Sequence, residues 1–513
     1  MNDVLWRPST TQIEASRMDA FRRRVNLRYN LQLNDYQALH GWSIEQRPAF
    51  WQTLAEYFHV HWHTPPSQVL SEGPQMPDAQ WFANATLNFA EHLLRRRDDR
   101  PAVVAVREDG QREVFTHAEL AAQVAGLQTA FKAAGIVPGD RVAAIMPNTW
   151  QTLVAMLACT SLGAVWSTSS PEFGVHGIID RFGQIEPKLL IVCAGYEYAG
   201  KAIDQVTKVN QVCAQLPGLE QLIVVPHTRK GTRADEFQAA NVSLWDDFFQ
   251  PGGEPRFTPL PFDHPLYILY SSGTTGVPKC IVHRAGGVLL QHLKEHGLHN
   301  DLKADDVLFY YTTCGWMMWN WLASGLAVGA TLVLYDARRS TQAPGAFWTD
   351  RGRGIHAFGT SAKYLAALEQ AGLEPATSHC LTSLRLLLST GSPLSPHSYD
   401  YVYDKIKADL CSCPCRAART LSPASCWATR PSLCVAAKSS ARAWVWRWRC
   451  GTSRVSPWWT KKASWCARAT SPRCHSVSGT TRTVAVTTMP TSVSFRGCGP
   501  KATTPSSVPA GAW

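Results

Sequence analysis

Apolar positions in the first 410 residues fall into short blocks that alternate between two periods. Residues 101–106, 141–146, 188–192 and 221–225 are short apolar runs with many β-branched side chains, the pattern of strands buried on both faces. Between the first two runs, Thr116 opens a stretch in which Leu120, Val124, Leu127 and Phe131 recur every three or four residues before Gly135. That spacing predicts a helix with a hydroxyl N-cap, one apolar stripe and a glycine stop. Residues 150–162 predict the next helix. The alternation resumes from Leu266 to Ser389, with strands expected near 307–310, 330–334 and 384–388. A Pro/Gly cluster at 251–255 marks a surface connection between these two βα sets. Strands alternating with helices predict mostly parallel sheets covered by helices on both faces. The segment before Pro101, mixed in pattern and rich in Trp and His, is expected to pack around this α/β body.

The strongest chemical signal interrupts the second set. The apolar run Tyr267, Ile268, Leu269, Tyr270 delivers Ser271, Ser272, Gly273, Thr274, Thr275 and Gly276, closed by Val277, Pro278 and Lys279. Glycines let successive backbone N–H groups approach and cup a polyphosphate, hydroxyls add donors, and a lysine neutralises oxyanions. The spacing is not that of a Walker loop, because Lys279 follows a proline and no Ser or Thr comes after it. A solvated Ser/Gly surface loop is the competing reading. The strand before it and the Pro-Lys end favour a loop for ATP phosphates, or one descended from such a loop.

Ser271 to Lys279 resembles the phosphate loop of the acyl-adenylate-forming superfamily. Two further strings narrow the resemblance. The run from Trp81 to Glu91 (WFANATLNFAE) is similar to the N-terminal region of the acetyl- and acetoacetyl-CoA synthetase branch. The run from Tyr310 to Trp321 (YYTTCGWMMWNW) and the string Ser389, Thr390, Gly391, Ser392, Pro393, Leu394 resemble the acetoacetyl-CoA synthetase family. The resemblance implies a division into residues 1–100, an N-terminal region of that branch, and residues 101–410, an AMP-binding body. It implies an ATP-dependent acid–thiol ligase in which a carboxylate attacks the α-phosphate of ATP and coenzyme A then attacks the acyl-adenylate. By resemblance, Ser271, Ser272, Gly273, Thr274, Thr275, Gly276 and Lys279 hold the β- and γ-phosphates with Mg2+. Gly391, Ser392 and Pro393 line the adenine and ribose side. Trp316, Met317 and Trp319 are candidates for the pocket of a short acid, acetoacetate; the competing reading makes this aromatic run core. His283 and Arg181 are weaker candidates for contact with substrate or coenzyme A. Acetate, propionate or another β-keto acid remains an alternative substrate, and a non-catalytic nucleotide-binding remnant an alternative function.

The resemblance stops near residue 410, where the composition changes class. Residues 411–513 contain no Asp, Glu, Asn, Gln, Ile or Tyr, and carry 11 Arg and 4 Lys. The preceding residues hold 35 basic against 39 acidic groups, so the chain's net +11 comes entirely from this tail. Nine of the 15 Cys and eight of the 20 Trp lie there too. A zinc module is disfavoured because Cys411, Cys413 and Cys415 meet no second ligand pair at suitable spacing. A nucleic-acid module is disfavoured because no period of 2 or 3.6 presents the charges. Out-of-frame translation of a GC-rich gene explains the composition and can be tested on the letters. Joining the last base of each codon from Arg416 onward to the first two of the next can spell Gly-Gly-Thr-Asp-Ile-Val-Ser-Cys-Phe. That string resembles the adenine-binding turn of the same family. The expectation is a one-base loss or two-base gain near codons 411–415, with 411–513 not a folded domain. The family's adenylating lysine and C-terminal domain would then be lost, leaving a chain inactive in thioester formation.

Little else in the composition points elsewhere. The first residues lack a signal pattern, and no 18-residue apolar run suggests a membrane span. The six Cys before 411 show neither metal nor disulfide spacing, which suits a reducing cytoplasm. No metal ligands are read from the sequence, and no nucleic-acid or membrane partner is expected.

Overall fold

The computed structural model describes residues 4–73, 78–108, 110–198, 200–249, 252–271, 276–336 and 354–414, with four short tail strands at Cys434–Val435, Trp448–Cys450, Trp465–Ala467 and His475–Ser478. Two large sheets form its centre. In the first, the strands lie in the order Val242–Leu244, Gln221–Val225, Leu189–Cys193, Arg141–Ile145, Val165–Ser169, Pro265–Tyr270, Cys280–Arg284 and His475–Ser478. The second runs Cys411–Pro414, Leu386–Thr390, Ile355–Ser361, Val307–Tyr310, Thr331–Asp336, Pro101–Arg107 and Arg112–Thr116. Pairing is parallel through both interiors and antiparallel where Pro265–Tyr270 meets Cys280–Arg284 and Pro101–Arg107 meets Arg112–Thr116.

The α/β class and mostly parallel sheets follow the hydrophobic pattern, but the grouping of strands does not. Chain order separates an early from a late βα set, whereas the fold exchanges an antiparallel pair of strands between them, Pro101–Arg107 with Arg112–Thr116 and Pro265–Tyr270 with Cys280–Arg284. Pro101–Arg107 pairs with Thr331–Asp336 in the second sheet, and Pro265–Tyr270 pairs with Val165–Ser169 in the first. Such an exchange leaves no trace in periodicity, because a strand buried on both faces reads the same in either sheet.

The predicted helix after Thr116 spans His117–Ala133. Thr116 Oγ1 accepts the Glu119 N–H at 3.1 Å while the Glu119 carboxylate accepts the Thr116 N–H at 2.8 Å, a reciprocal capping box. Leu120, Val124, Leu127 and Phe131 are all buried. The helix Trp150–Ser161 is buried from Thr152 onward, and Ala285–Leu293 with its continuation Lys294–His299 is wholly buried. Glu295 in this stretch is bonded internally: Gln291 Nε2 donates to Glu295 Oε1 at 2.6 Å and Trp321 Nε1 to Glu295 Oε2 at 2.8 Å.

The N-terminal segment wraps this body, as its mixed pattern suggested. Helices Arg17–Tyr29, Tyr36–Glu45 and Arg47–Tyr57 bury Phe21, Leu39, Phe50, Trp51 and Leu54 in the main core. Arg17 N–H donates to Asp301 Oδ1 at 2.8 Å, and Trp6 Nε1 donates to Asp409 Oδ1 at 3.0 Å. Tail strands attach at two places: Cys434–Val435 pairs with Val4–Trp6 as a separate two-stranded sheet, and His475–Ser478 adds to the Cys280–Arg284 edge of the first large sheet. An edge strand presents unpaired N–H and C=O groups and accepts such additions without side-chain specificity. Among the described residues no helix is long and apolar enough to cross a membrane.

Candidate active site

Because the interior strands of each sheet are parallel, their carboxyl ends share one edge, where ligands bind in open α/β folds. The two sheets bring these edges together. Thr168 Oγ1 donates to the Cys314 carbonyl at 2.6 Å, and Cys314 Sγ lies 3.2 Å from the Pro147 carbonyl. Trp319 Nε1 donates to Asn148 Oδ1 at 2.8 Å, and His227 Nε2 pairs with Asp336 Oδ2 at 2.8 Å. A cleft of about 240 Å³ opens at this seam, lined by Asn148, Trp150, His227, Trp245 and Asp336. A smaller one of about 50 Å³ lies between Ser170, Glu172, Tyr196, Tyr311, Thr313 and Asp336. A larger hollow of about 670 Å³ is lined by Val104, Val106, Val307, Val333 and Ile355 on one face of the second sheet. Arg100, Arg112, Asp305 and Thr331 complete its lining, and Pro101, Val307, Thr331 and Ile355 place it at the amino ends of the strands, away from the seam.

The hydroxyl-glycine loop leaves this edge as the connection of an antiparallel pair. Its neck is closed twice: Ser271 N–H donates to the Lys279 carbonyl at 2.9 Å, and Lys279 N–H donates to Ser271 Oγ at 2.9 Å. Gly276 has φ +91°, and a Cβ added there would meet no atom within 4 Å. Lys279 is exposed. Ser272, Gly273, Thr274 and Thr275 lie outside the described residues. Beneath the neck, Ser167 Oγ donates to the Ile268 carbonyl at 3.0 Å and lies 2.9 Å from the Tyr270 hydroxyl. Burial pushes the Tyr270 phenol far above its ordinary range, so it stays protonated. The Arg181 guanidinium stacks 4.6 Å from the Phe173 ring and 5.8 Å from the Tyr270 ring, which holds it beside the loop. His283, by contrast, is fully buried on the returning strand with its ring 4.9 Å from that of Tyr267. It packs under the hairpin rather than at its mouth.

Gly391 follows Leu386–Thr390 at the same edge, with φ +95° and open space at its missing Cβ. Ser392 and Pro393 are exposed, and Leu394 turns back into the core. Ser395 then caps the helix Pro396–Tyr401, accepting the Ser398 N–H at 3.1 Å. The aromatic candidates separate by burial. Trp316, at the N-cap of Met317–Ala323, is 46% exposed, whereas Met317 and Trp319 are 3% and 1% exposed. Trp319 is a core residue whose indole is tied to Asn148; Trp316 alone presents a wide surface.

Lateral order relates these parts. Asn148 Nδ2 donates to the Tyr335 carbonyl at 3.5 Å, which sets Thr331–Asp336 opposite Arg141–Ile145, and the Thr168–Cys314 bond sets Val307–Tyr310 opposite Val165–Ser169. One strand further along lie Pro265–Tyr270 in the first sheet and Ile355–Ser361 in the second, with Leu386–Thr390 beyond the latter. The strands that lead into the loop neck and into Gly391 therefore lie to the same side of the Thr168–Cys314 contact in their sheets. Sequence reasoning missed Asn148, His227 and Asp336, which join the edges. Asn148 follows a strand and a proline, a usable signal, but nothing in the letters pairs His227 with Asp336. Burial pushes the Cys193 and Cys314 thiols well above the ordinary thiol range, so neither supplies a thiolate nucleophile.

Two parallel-rich sheets meeting at their carboxyl edges, with a neck-closed glycine loop there, define an α/β enzyme body of the nucleotide-handling class. Residues 89–412 match the AMP-binding enzyme family, and residues 36–93 match the acetyl-coenzyme A synthetase N-terminus. The chain belongs to the AMP-binding enzymes. It is 48% identical over 411 residues to the acetoacetyl-coenzyme A synthetase of Rhizobium meliloti (strain 1021), an alignment covering 79% of this chain and 62% of that relative. It is also 40% identical over 430 residues to the malonamoyl-CoA synthetase of Penicillium aethiopicum, covering 78% of this chain and 59% of that protein. The solved acetoacetyl-CoA synthetase from Streptomyces lividans superposes with a TM-score of 0.84 at 36% identity, over 92% of this chain and 73% of that one. The chain thus spans about three-fifths of the length of the curated relatives it matches.

Proposed function

We propose that residues 1–410 are the nucleotide- and acid-binding part of an ATP-dependent acetoacetate–CoA ligase, and that residues 411–513 are read out of frame. The observation that supports the first statement is the neck-closed loop from Ser271 to Lys279 at the edge shared with Gly391, in a chain 48% identical to an acetoacetyl-coenzyme A synthetase. Carboxylates are poor electrophiles toward thiols. Attack on the α-phosphate of ATP gives an acyl-adenylate with release of pyrophosphate, and the coenzyme A thiol then displaces AMP. In this scheme the protein mainly positions groups and neutralises charge.

Ser271, Ser272, Gly273, Thr274, Thr275 and Gly276 would supply backbone and hydroxyl donors to the β- and γ-phosphates. Lys279, exposed at the loop's end, would place an ammonium among their oxyanions. The open Cβ positions of Gly276 and Gly391 leave room for a close approach of phosphate and of ribose. When bound, Mg2+ supplies further charge neutralisation between phosphates. Gly391, Ser392 and Pro393 would line the nucleoside side. Trp316 would form the acid's wall, with Met317 and Trp319 fixing its position from behind.

Pyrophosphate exchange into ATP, driven by acetoacetate and compared with acetate and propionate, tests the reading. Exchange with acetoacetate preferred supports the ligase and its acid. Preference for another short acid replaces the acid but keeps the class, as the malonamoyl-CoA relative illustrates. ATP binding without any exchange identifies a nucleotide-binding remnant instead.

A further inference from the structure

Outside the seam, one cluster of ligating side chains is built by the fold among the described residues. His61 and His63 lie two apart on the extended segment that follows the helix Arg47–Tyr57, so both imidazoles point to one side and Trp62 to the other. Trp62 stacks on Phe82 at 5.3 Å and lies 6.2 Å from the Phe262 ring, which anchors the segment. The backbone is pinned on the same stretch. His63 N–H donates to the Thr86 carbonyl at 2.9 Å, Thr64 and Thr86 form a bridge, and Pro65 and Pro66 stiffen the exit. His61 N–H donates to Nε2 of the buried His92 at 2.9 Å, while His92 Nδ1 lies 2.7 Å from the Asn88 carbonyl. That arrangement fixes His92 as the neutral Nδ1–H tautomer, consistent with burial holding its pKa down at about 4.

Opposite the imidazoles stands Glu91, one residue before His92 on the helix Phe89–Leu93, whose N-cap Asn88 accepts the Glu91 N–H at 3.3 Å. His63 Nε2 is 2.8 Å from Glu91 Oε2, His61 Nε2 is 3.9 Å from Glu91 Oε1, and one donor atom from each of the three residues lies within 4.8 Å of the others. Donors bound at about 2.0–2.2 Å in tetrahedral geometry sit roughly 3.4 Å apart. The two measured separations bracket that value, so small side-chain rotations suffice. The two His come from one segment and the carboxylate from a separate helix, and all three open to solvent on one side.

We propose that His61, His63 and Glu91 form a site for one divalent transition-metal ion of the zinc class, tying the segment after the helix Arg47–Tyr57 to the helix Phe89–Leu93. Two imidazoles and one carboxylate select borderline cations over Mg2+ or Ca2+, which prefer all-oxygen sets. The site is therefore distinct in chemistry from any Mg2+ carried with ATP. On binding, the His63 ring takes the Nδ1–H tautomer, which frees the Nε2 lone pair, and its hydrogen bond to Glu91 is replaced by two metal bonds. Three protein ligands leave a fourth position for water.

The probe is Co2+, added to the full chain prepared without a histidine tag, because its spectrum separates nitrogen and oxygen ligands from the tail's thiolates. One equivalent should bind with visible d–d bands, be displaced by Zn2+, survive alkylation of the cysteines, and weaken at least tenfold in His63→Ala and in Glu91→Gln. His61→Ala, at the most exposed of the three positions, guards against a folding defect in the others. Zn2+ should also raise the melting temperature of the parent chain but not of the His61→Ala/His63→Ala chain. Co2+ uptake unchanged in these variants, or uptake carrying only thiolate charge-transfer bands, overturns the proposal.

Discussion

Residues 1–410 and 411–513 are joined by one peptide bond and obey different rules. In the first, every large apolar block finds a place: the runs at 101–106, 141–146 and 221–225 become strands whose side chains are almost all buried. Acidic and basic groups are balanced there, and ion pairs such as Arg385 with Asp306 and Arg229 with Glu236 are spread over the surface and the element ends. The second carries +15 with no acid to offset it, and eight Trp without a period. The family match ends at residue 412, two residues past the compositional break. Aromatic content alone does not specify a fold; the phase of the apolar positions does.

The contrast can be broken most sharply at the gene. Restoring one base near codons 411–415 should convert the tail into family-like sequence and give acetoacetate- and ATP-dependent thioester formation. The present chain is expected to fall at least about 10²–10³-fold below that, the usual cost of losing even one donor to developing negative charge. Equal rates, measured by coenzyme A thiol consumption, would show that the tail does chemistry after all.

Paired tryptophan variants probe the same divide at the level of stability. Trp319→Ala opens a cavity and leaves the Asn148 amide oxygen without its donor, for an expected loss of about 3–5 kcal/mol in denaturant unfolding. Trp446→Ala, in the tail, should change unfolding by less than about 0.5 kcal/mol. Comparable losses at the two positions would mean that both halves belong to one cooperative unit.

Acid gives the comparison in which the tail should matter least. Burial holds His296 at about 3 and His92 at about 4, so the folded body binds protons at these sites less readily than the unfolded chain. Their contribution to stability is complete above the unfolded value near 6.5 and is lost as pH falls toward the folded values. The slope is roughly 1.4 kcal/mol per pH unit per histidine. The tail has a single histidine, so removing residues 415–513 should leave the slope between pH 6.5 and 5 unchanged. A slope that vanishes with the tail would place the sensitive groups there.

Strands, the Thr116 cap and the hairpin neck at Ser271 and Lys279 were legible because each is a local statement: an apolar run, a hydroxyl just before an apolar stripe, a cluster of small residues closed by Pro-Lys. What escaped is non-local or reversed in polarity. The stretch Gln291, His292, Lys294, Glu295, His296 and His299 reads as a solvated helix face yet is wholly buried, with Glu295 bonded to Gln291 and Trp321. Strands Cys280–Arg284 and Ile355–Ser361 carry His283 and His356 inside otherwise apolar runs and were not expected as strands. In the candidate site, the loop and Gly391 were visible in the sequence. Their relative placement depends on which strand joins which sheet, and the His227–Asp336 pair bridges 109 positions. Of the aromatic trio only Trp316 keeps a solvent-facing surface, a distinction that residue type cannot make.

The hydrogen bond from Trp6 to Asp409 has a bearing on how the chain is made. Its partners are 403 residues apart, so it cannot form until nearly the whole body has left the ribosome. At about 5–20 residues per second, the N-terminal strand waits roughly 20–80 s for its acceptor. For that interval Trp6 is a loose aromatic end on a nascent protein, open to chaperones. Asp409 then emerges immediately ahead of the basic, Trp-rich tail, and the last tether of the body must close while that tail is still being added.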